Sequence, residues 1–377
     1  MSGSVTDSSA NEATSKLSPK NPACECRPLV IVEGFLGRAG SAIWGNFEHH
    51  LKRGSCEGCT RRIIFTSVGP VSSLHDRACE LYYSLVGGRV DYGEEHSNAH
   101  DHGRYGRIIP EGLYPEWSVA NALHFLGHSI GGSTIIKLQH LIRTGHFGHH
   151  AHPGMVLSVN SISSPYRGTQ IVFTLGERTD AAPAVRPLSL GSMLAKGVHI
   201  VSYLSPFLPR VLDLHIDSRL LSLYDITPLE LLKQLWKSDW AESRDATPYD
   251  VTFEAADERE ANGEGEIYPG TWYRSWCAYT TQKTDPSNSN NNTHAPSMSL
   301  SVTQLALAPL YVMARAIGSF DFSTLQPPPS FLQPRRISTT CDPERAATTE
   351  YETLPEEYYA NDGVVPLFSQ WHPFACA

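Results

Sequence analysis

The sequence predicts an α/β domain built on a mostly parallel sheet with helices packed against it. Three observations carry that expectation. Short apolar runs recur along the chain, helix-like segments or long insertions separate them, and a G-x-S-x-G motif falls where one such run gives way to a helix-like segment. The 377 residues, 41% of them hydrophobic, can bury a substantial core in one large domain with insertions.

Taken in order, residues 1–27 are polar and read as a disordered lead, after which "RPLVIVEGFLG" opens the fold with a buried strand over 29–32 and a glycine loop. Further strands are expected at 63–65, 123–126, 156–162 and 272–280. A helix beginning at Ser72 or Ser73 turns Ala78, Leu81, Tyr82 and Leu85 inward and stops at Gly87 and Gly88. A second helix follows Ser129, with Ile135, Leu138 and Ile142 on its buried face and stop signals at Arg143 and Gly145. Residues 186–215 are unusually apolar yet broken by Gly191, Gly197, Pro206 and Pro209, which suits either a movable lid or an ordinary core helix pair.

Composition narrows the partners. A net charge of −9 and the lack of a dense basic run argue against nucleic acid, and no stretch has the apolar length of a transmembrane span. The first 23 residues lack the basic start and hydrophobic run of a signal peptide, so the location is read as cytoplasmic or unknown. An N-x-T pattern at Asn291 would matter only in a secreted chain. Cys24 with Cys26 and Cys56 with Cys59 read as ordinary thiols, with a four-cysteine zinc site joining the pairs as the alternative.

The chemistry centres on "HFLGHSIGGST" at residues 124–134. A serine hydroxyl is a poor nucleophile until a base takes its proton, and a sharp turn between strand and helix exposes it to that base. Side chains at Gly127 or Gly131 would clash with neighbouring backbone, and Ile130 offers its N–H to an oxyanion at the start of the helix. The loop in "VIVEGFLG" supplies a second donor, the N–H of Phe35.

From about residue 28 onward the chain resembles the zinc-containing thermoalkalophilic bacterial lipases and their staphylococcal relatives, a branch of the α/β-hydrolases. The block "SVGPVSSLHDRACELYYSLVGGRVDYGEEHSNAHDHGRYGR" follows that family's diagnostic segment almost position by position, and "VLSVNSISSPYRGT" resembles its strand and turn after the nucleophile. The resemblance implies a structural zinc held by Asp76, His96, His102 and Asp250, in a zinc region about 70–107 and 245–255. Two imidazoles and two carboxylates suit a closed tetrahedral site. His75 and His100 match no ligand position.

The same transfer makes Asp362, in "YYANDGVVP", the acid of a Ser129, Asp362 and histidine triad, in the chain order this fold uses. The family's histidine lies several tens of residues beyond that aspartate, and fifteen residues follow Asp362 here. The expectation is therefore a histidine beyond the chain end and an incomplete C-terminus, with His372 as a substitute. The family's calcium ligands lie near that histidine, so the resemblance implies nothing about calcium here. Glu33 stands where relatives carry histidine and brings a negative charge close to the oxyanion loop.

The expected function is serine ester hydrolysis, most simply by a triacylglycerol lipase acting on acylglycerols or other esters at a lipid interface. A zinc-stabilised lipase-like scaffold or lipid-binding protein lacking the catalytic histidine is the alternative, and an acyltransferase is a third.

Overall fold

The structure is a computed structural model, and it describes residues 26–37, 44–47, 49–50, 61–209, 212–215, 217–288, 291–297, 308–333 and 354–373. The expected disordered lead lies outside these residues except for its last two positions. In chain order the main elements are β1 (Leu29–Val32), β2 (Ile63–Phe65), α1 (Leu74–Val86), β3 (Gly88–Asp91), α2 (Glu94–Ala99), β4 (Tyr105–Ile109), β5 (Leu123–His128) and α3 (Ile130–Arg143). There follow β6 (Val156–Ile162), α4 (Ile171–Leu175), α5 (Leu190–Tyr203), α6 (Pro228–Trp236), α7 (Thr247–Asp250), α8 (Phe253–Ala261), β7 (Trp272–Trp276), β8 (Thr281–Lys283), β9 (His294–Pro296) and α9 (Ala308–Gly318).

The central sheet has the order β2-β1-β5-β6-β7, and every pairing in it is parallel. The β1 strand is buried on both faces, as a near-continuous run of Leu, Val and Ile in a parallel sheet should be. The expected strand at 272–280 is shorter than the apolar run that predicted it. It ends at Trp276, and Thr281 onward pairs instead in a separate antiparallel ribbon, β8 with β9. The other strands fall at or within two residues of their expected positions.

Helix α1 starts where its cap residue predicts. The Ser73 side chain accepts from Asp76 N at 3.2 Å, and Gly87, at φ +84°, ends the helix. Ala78, Leu81, Tyr82 and Leu85 are all buried, and they join Ile135, Leu138, Val30 and Phe125 in the main core between α1, α3 and the sheet. A second core collects Phe173, Phe253, Phe322 and Phe368. A third, built on Val71, Ala195, Val198 and Trp240, seats α5, and the Trp240 indole donates to Val71 O at 2.9 Å.

Beyond α1 the chain leaves the sheet for the antiparallel pair β3 and β4, with α2 between them. This excursion bears the histidine-rich loop. Cys26 is disulfide-bonded, so the ordinary-thiol reading fails there; Cys24, Cys56 and Cys59 lie outside the described residues.

Arg77 is fully buried in the middle of this layout. Its guanidinium donates to Gly69 O at 2.6 Å, Glu33 O at 2.5 Å and Thr134 Oγ1 at 3.0 Å, joining the loops after β2 and β1 to α3. Burial pushes the guanidinium down to about 10, and the Glu80, Asp250 and Glu33 carboxylates act against that shift. Arg77→Met fills similar space but leaves three buried acceptors without a donor. Urea unfolding should show a loss of about 3 kcal/mol or more, and a loss under about 1 kcal/mol would show that the three acceptors find other donors.

Candidate active site and metal centre

Ser129 stands between the last residue of β5 and the first of α3 with φ +53° and ψ −134°. That backbone is strained for a residue with a Cβ, and surrounding contacts hold it. Ser129 N donates to Ile162 O at 2.9 Å. A Cβ on Gly127 would stand 2.3 Å from Gly132 N, and one on Gly131 would stand 2.2 Å from Val32 O, so both flanking glycines are required by close backbone approach. The turn therefore lifts the serine out of the sheet at the end from which α3 departs, as the motif implies.

Ser129, Phe35 and Ile130 line one apolar cavity of about 140 Å³. Val172 and Leu175 of α4, Leu194 of α5 and Trp240 close its walls, with Val364 and Val365 at one side. Ile130 is the first residue of α3, so its N–H has no acceptor within the helix. Asp362 lies just before those two valines. Its Oδ1 accepts from Val364 N at 2.9 Å and Val365 N at 2.8 Å, while Oδ2 has only a 3.5 Å contact from Gln370 Nε2. Burial lowers the pKa of His128, the residue before Ser129, and the nearby Asp362 carboxylate opposes that shift.

His372 is not brought to this cavity. It lines a separate one of about 740 Å³ with Tyr166, Lys137 and Arg259. Its ring packs against Tyr166 and Tyr273, and burial pushes its pKa down to about 4. Among the described residues no histidine is hydrogen-bonded to Ser129 Oγ.

Glu177, which the sequence did not single out, also lines the Ser129 cavity. Its side chain is buried, Oε1 has no partner among the described residues, and burial with the nearby Glu242 and Glu254 raises its pKa to about 8. It is a neutral acid in an apolar wall. Nothing in its local sequence, "TLGERT", distinguishes it from a surface glutamate.

The structure brings together a metal-type ligand set that differs from the expected one at a single position. Asp76, His96 and His102 converge, and the fourth member is Asp245 rather than Asp250. His96 Nε2 lies 3.6 Å from Asp76 Oδ1 and 3.2 Å from Asp245 Oδ1, while His102 Nε2 lies 3.9 Å and 3.4 Å from the same two carboxylates. Asp76 Oδ1, His96 Nε2 and His102 Nε2 are buried without a hydrogen-bond partner among the described residues, so they aim at a point that a cation would satisfy. His102 Nδ1 contacts Gly103 O at 3.0 Å, and donation there leaves Nε2 as the lone-pair nitrogen. Burial raises the Asp76 pKa, with Asp245 adding to it, whereas the His96 and Arg219 contacts hold Asp245 well below the carboxylate range despite its burial.

Asp250 has a different task. Its Oδ2 accepts from Leu74 N at 2.7 Å, satisfying a free N–H in the first turn of α1. Asp250 sits inside α7, whose direction fixes its aim, whereas Asp245 lies in the turn before that helix and can face the histidines. The signal available in "SRDATPYD" is that Thr247-Pro248 starts a helix between the two aspartates.

Comparison with known proteins places this geometry. The family model for the lipase-like C-terminal domain matches residues 26–196. The lipase of Staphylococcus hyicus is 31% identical over 293 residues, covering 71% of this chain and 42% of that protein. Lipase 1 of Staphylococcus aureus (strain NCTC 8325 / PS 47) is 26% identical over 315 residues, 74% of this chain and 42% of its own length. The crystal structure of Staphylococcus hyicus lipase superposes with a TM-score of 0.66 at 26% identity, covering 94% of this chain and 81% of that one. The chain belongs to the staphylococcal lipase family. Its fold is that of the α/β-hydrolases, which EstA from Clostridium botulinum shares at a TM-score of 0.59 and 24% identity, over 93% of this chain and 75% of that one. The chain spans under half the length of the curated lipases it matches.

For this family member two outcomes follow. Asp245→Asn should lower the bound metal, read by elemental analysis of purified protein, whereas Asp250→Asn should keep it and lower unfolding free energy by about 1 kcal/mol through the lost cap. Equal metal loss in both would contradict the assignment. Glu177 ionises near 4.5 when unfolded and about 8 when folded, so its contribution to stability is complete below pH 4.5 and lost as pH rises toward 8. Glu177→Gln should flatten the fall in melting temperature across that window, and an unchanged slope would show the side chain ionises normally.

Proposed function

We propose that the protein is a carboxylic ester hydrolase of the triacylglycerol lipase type. The observation that carries this reading is the Ser129 turn opening into an apolar cavity beside Phe35 and Ile130. Ser129 Oγ attacks the ester carbonyl, and a histidine takes its proton and passes it to the leaving alcohol. The Phe35 and Ile130 N–H groups bind the oxyanion, and water then releases the fatty acid. Asp362 holds the histidine, and its Oδ2 retains acceptor capacity for an imidazole N–H.

The substrate class follows from what covers the cavity. Helix α5 falls within the expected lid, 186–215, and supplies Leu194 to the cavity wall, while α6, which the sequence did not reveal, packs against α5. Both turn large apolar side chains to solvent, including Leu188, Met193 and Phe207 around α5 and Leu229, Leu232 and the 93% exposed Trp236 on α6. Such a surface favours contact with lipid, hence acylglycerols at an interface. Among the described residues no helix is long and apolar enough to cross a membrane.

Zinc fits the group formed by Asp76, His96, His102 and Asp245: two nitrogen and two oxygen donors suit a tetrahedral shell, and Asp76 Oδ1, His96 Nε2 and His102 Nε2 have no hydrogen-bond partner among the described residues. It would tie α1 to the α2 loop and the turn before α7, as structure rather than as a Lewis acid. The second reading, a zinc-stabilised lipid-binding protein without turnover, draws on the lack of a histidine at Ser129 Oγ among the described residues.

The full-length protein should hydrolyse p-nitrophenyl esters, and Ser129→Ala should lower kcat on the order of 10⁶-fold. A folded wild-type protein with no turnover on any acyl chain from short to long would overturn the hydrolase and leave the binding protein.

A further inference from the structure

A second cluster of metal-ligating side chains stands beside the first. His75 and Cys79 are one turn apart on α1, so they project from the same face of it, and His146 approaches them from the turn after α3. One ligand atom from each residue lies within 4.8 Å of the other two. Cys79 Sγ is 3.6 Å from His146 Nε2, and the His75 and His146 rings meet edge to face with centroids 5.3 Å apart.

The surrounding chain holds this arrangement in place. His146 N donates to Leu141 O at 3.0 Å as α3 ends, and the next ring, Phe147, stacks on Tyr82 of α1 at 3.9 Å. Gly93 makes room for the imidazole, since a Cβ there would stand 2.7 Å from His146 Cε1. His75 Nε2 lies 2.7 Å from Tyr92 O; donation to that carbonyl leaves Nδ1 with the lone pair, the pattern by which ligating imidazoles are commonly oriented. The opposite face of His75 stacks on His96 with centroids 3.5 Å apart and planes 8° from parallel, so the two clusters share a wall without sharing a ligand.

A buried cysteine and two packed histidines need no metal, because Cys79 alone would serve as a small apolar filler. What exceeds that reading is convergence: one thiol and two imidazoles from separate elements, with a glycine vacating the space for the third. Tetrahedral zinc bonds of ~2.0–2.3 Å separate adjacent donors by about 3.5 Å. The Cys79 Sγ to His146 Nε2 distance of 3.6 Å is close to that value, and metal binding would replace the 3.4 Å contact of the same nitrogen with Asp91 O.

We propose that His75, Cys79 and His146 form a second site for a transition-metal ion of the zinc class, with one coordination position left to water. A thiolate with two imidazoles selects borderline or soft ions and rejects calcium and magnesium. On binding, the Cys79 S–H bond breaks as the sulfur-to-metal bond forms, and the proton passes to solvent. No electron is transferred. The ion would pin the end of α3 to α1 next to the first site.

Cobalt separates the two sites, because only this one contains sulfur. Full-length protein stripped of metal should take up two equivalents of Co²⁺ per chain, one of them bringing a thiolate-to-cobalt charge-transfer band in the near ultraviolet. Cys79→Ala should lose that band and one equivalent while keeping the other, and His146→Asn should lose the same equivalent with Cys79 intact. Asp245→Asn should keep the band. Circular dichroism checks that each variant is folded. A wild-type titration without the thiolate band, or a band that survives in folded Cys79→Ala, would overturn the second site irrespective of the first.

Discussion

The guanidinium of Arg77 is the constraint on which the layout around Ser129 depends. Three hydrogen bonds from one buried cation fix Glu33, Gly69 and Thr134 relative to each other, and through them the loop bearing Phe35, the loop after β2 and the helix that begins at Ser129. A planar fork with five donors can serve three acceptors in different directions, which a lysine ammonium on a flexible stem cannot do as well. Its charge is balanced locally: Glu80 is buried alongside and uses Oε2 to accept from Gly69 N at 2.8 Å and to meet His215 Nδ1 at 2.8 Å. This bears on Glu33, whose charge was expected to weigh against the oxyanion. It lies within the field of Arg77, so it is partly compensated.

Helix α1 distributes these duties by periodicity. Successive residues on a helix point about 100° apart, so neighbours in sequence serve different neighbours in space. Leu74 N receives Asp250, His75 faces Tyr92 and His146, Asp76 faces the histidines of the α2 loop, and Arg77 faces the sheet end. One helix therefore connects the candidate metal ligands to the Ser129 turn, with no flexible segment between them.

The legible parts of the sequence were those in which local pattern and global structure agree. The strand at Leu29–Val32, the caps of α1 and the glycines around Ser129 each carry a signal confined to a few residues, and each is found where expected. The resemblance also carried His96, His102 and Asp76, which lie in one continuous block. It failed at Asp250 because that ligand comes from a distant segment. There, two aspartates five residues apart look alike until the start of α7 is known. Arg77, Glu177 and the His146 approach share this cause: their partners are 8 to 77 residues away in sequence and no periodicity announces them.

The same reasoning explains why only one of the two helices with exposed apolar faces was legible. Helix α5 was visible because its apolar residues are dense, whereas α6 is a short amphipathic helix with a capping box at Thr227 and Glu230, a pattern that usually means an apolar face turned to the core. Here Leu229, Leu232 and Trp236 face outward instead. The capping box and the packing against α5 hold this nine-residue helix while that face stays in solvent. The two helices differ accordingly, with α5 supplying Leu194 to the cavity wall and α6 adding apolar surface on the outside. Contact between that exposed face and lipid would remove apolar surface from water, which is the physical ground on which the proposed interfacial substrate rests.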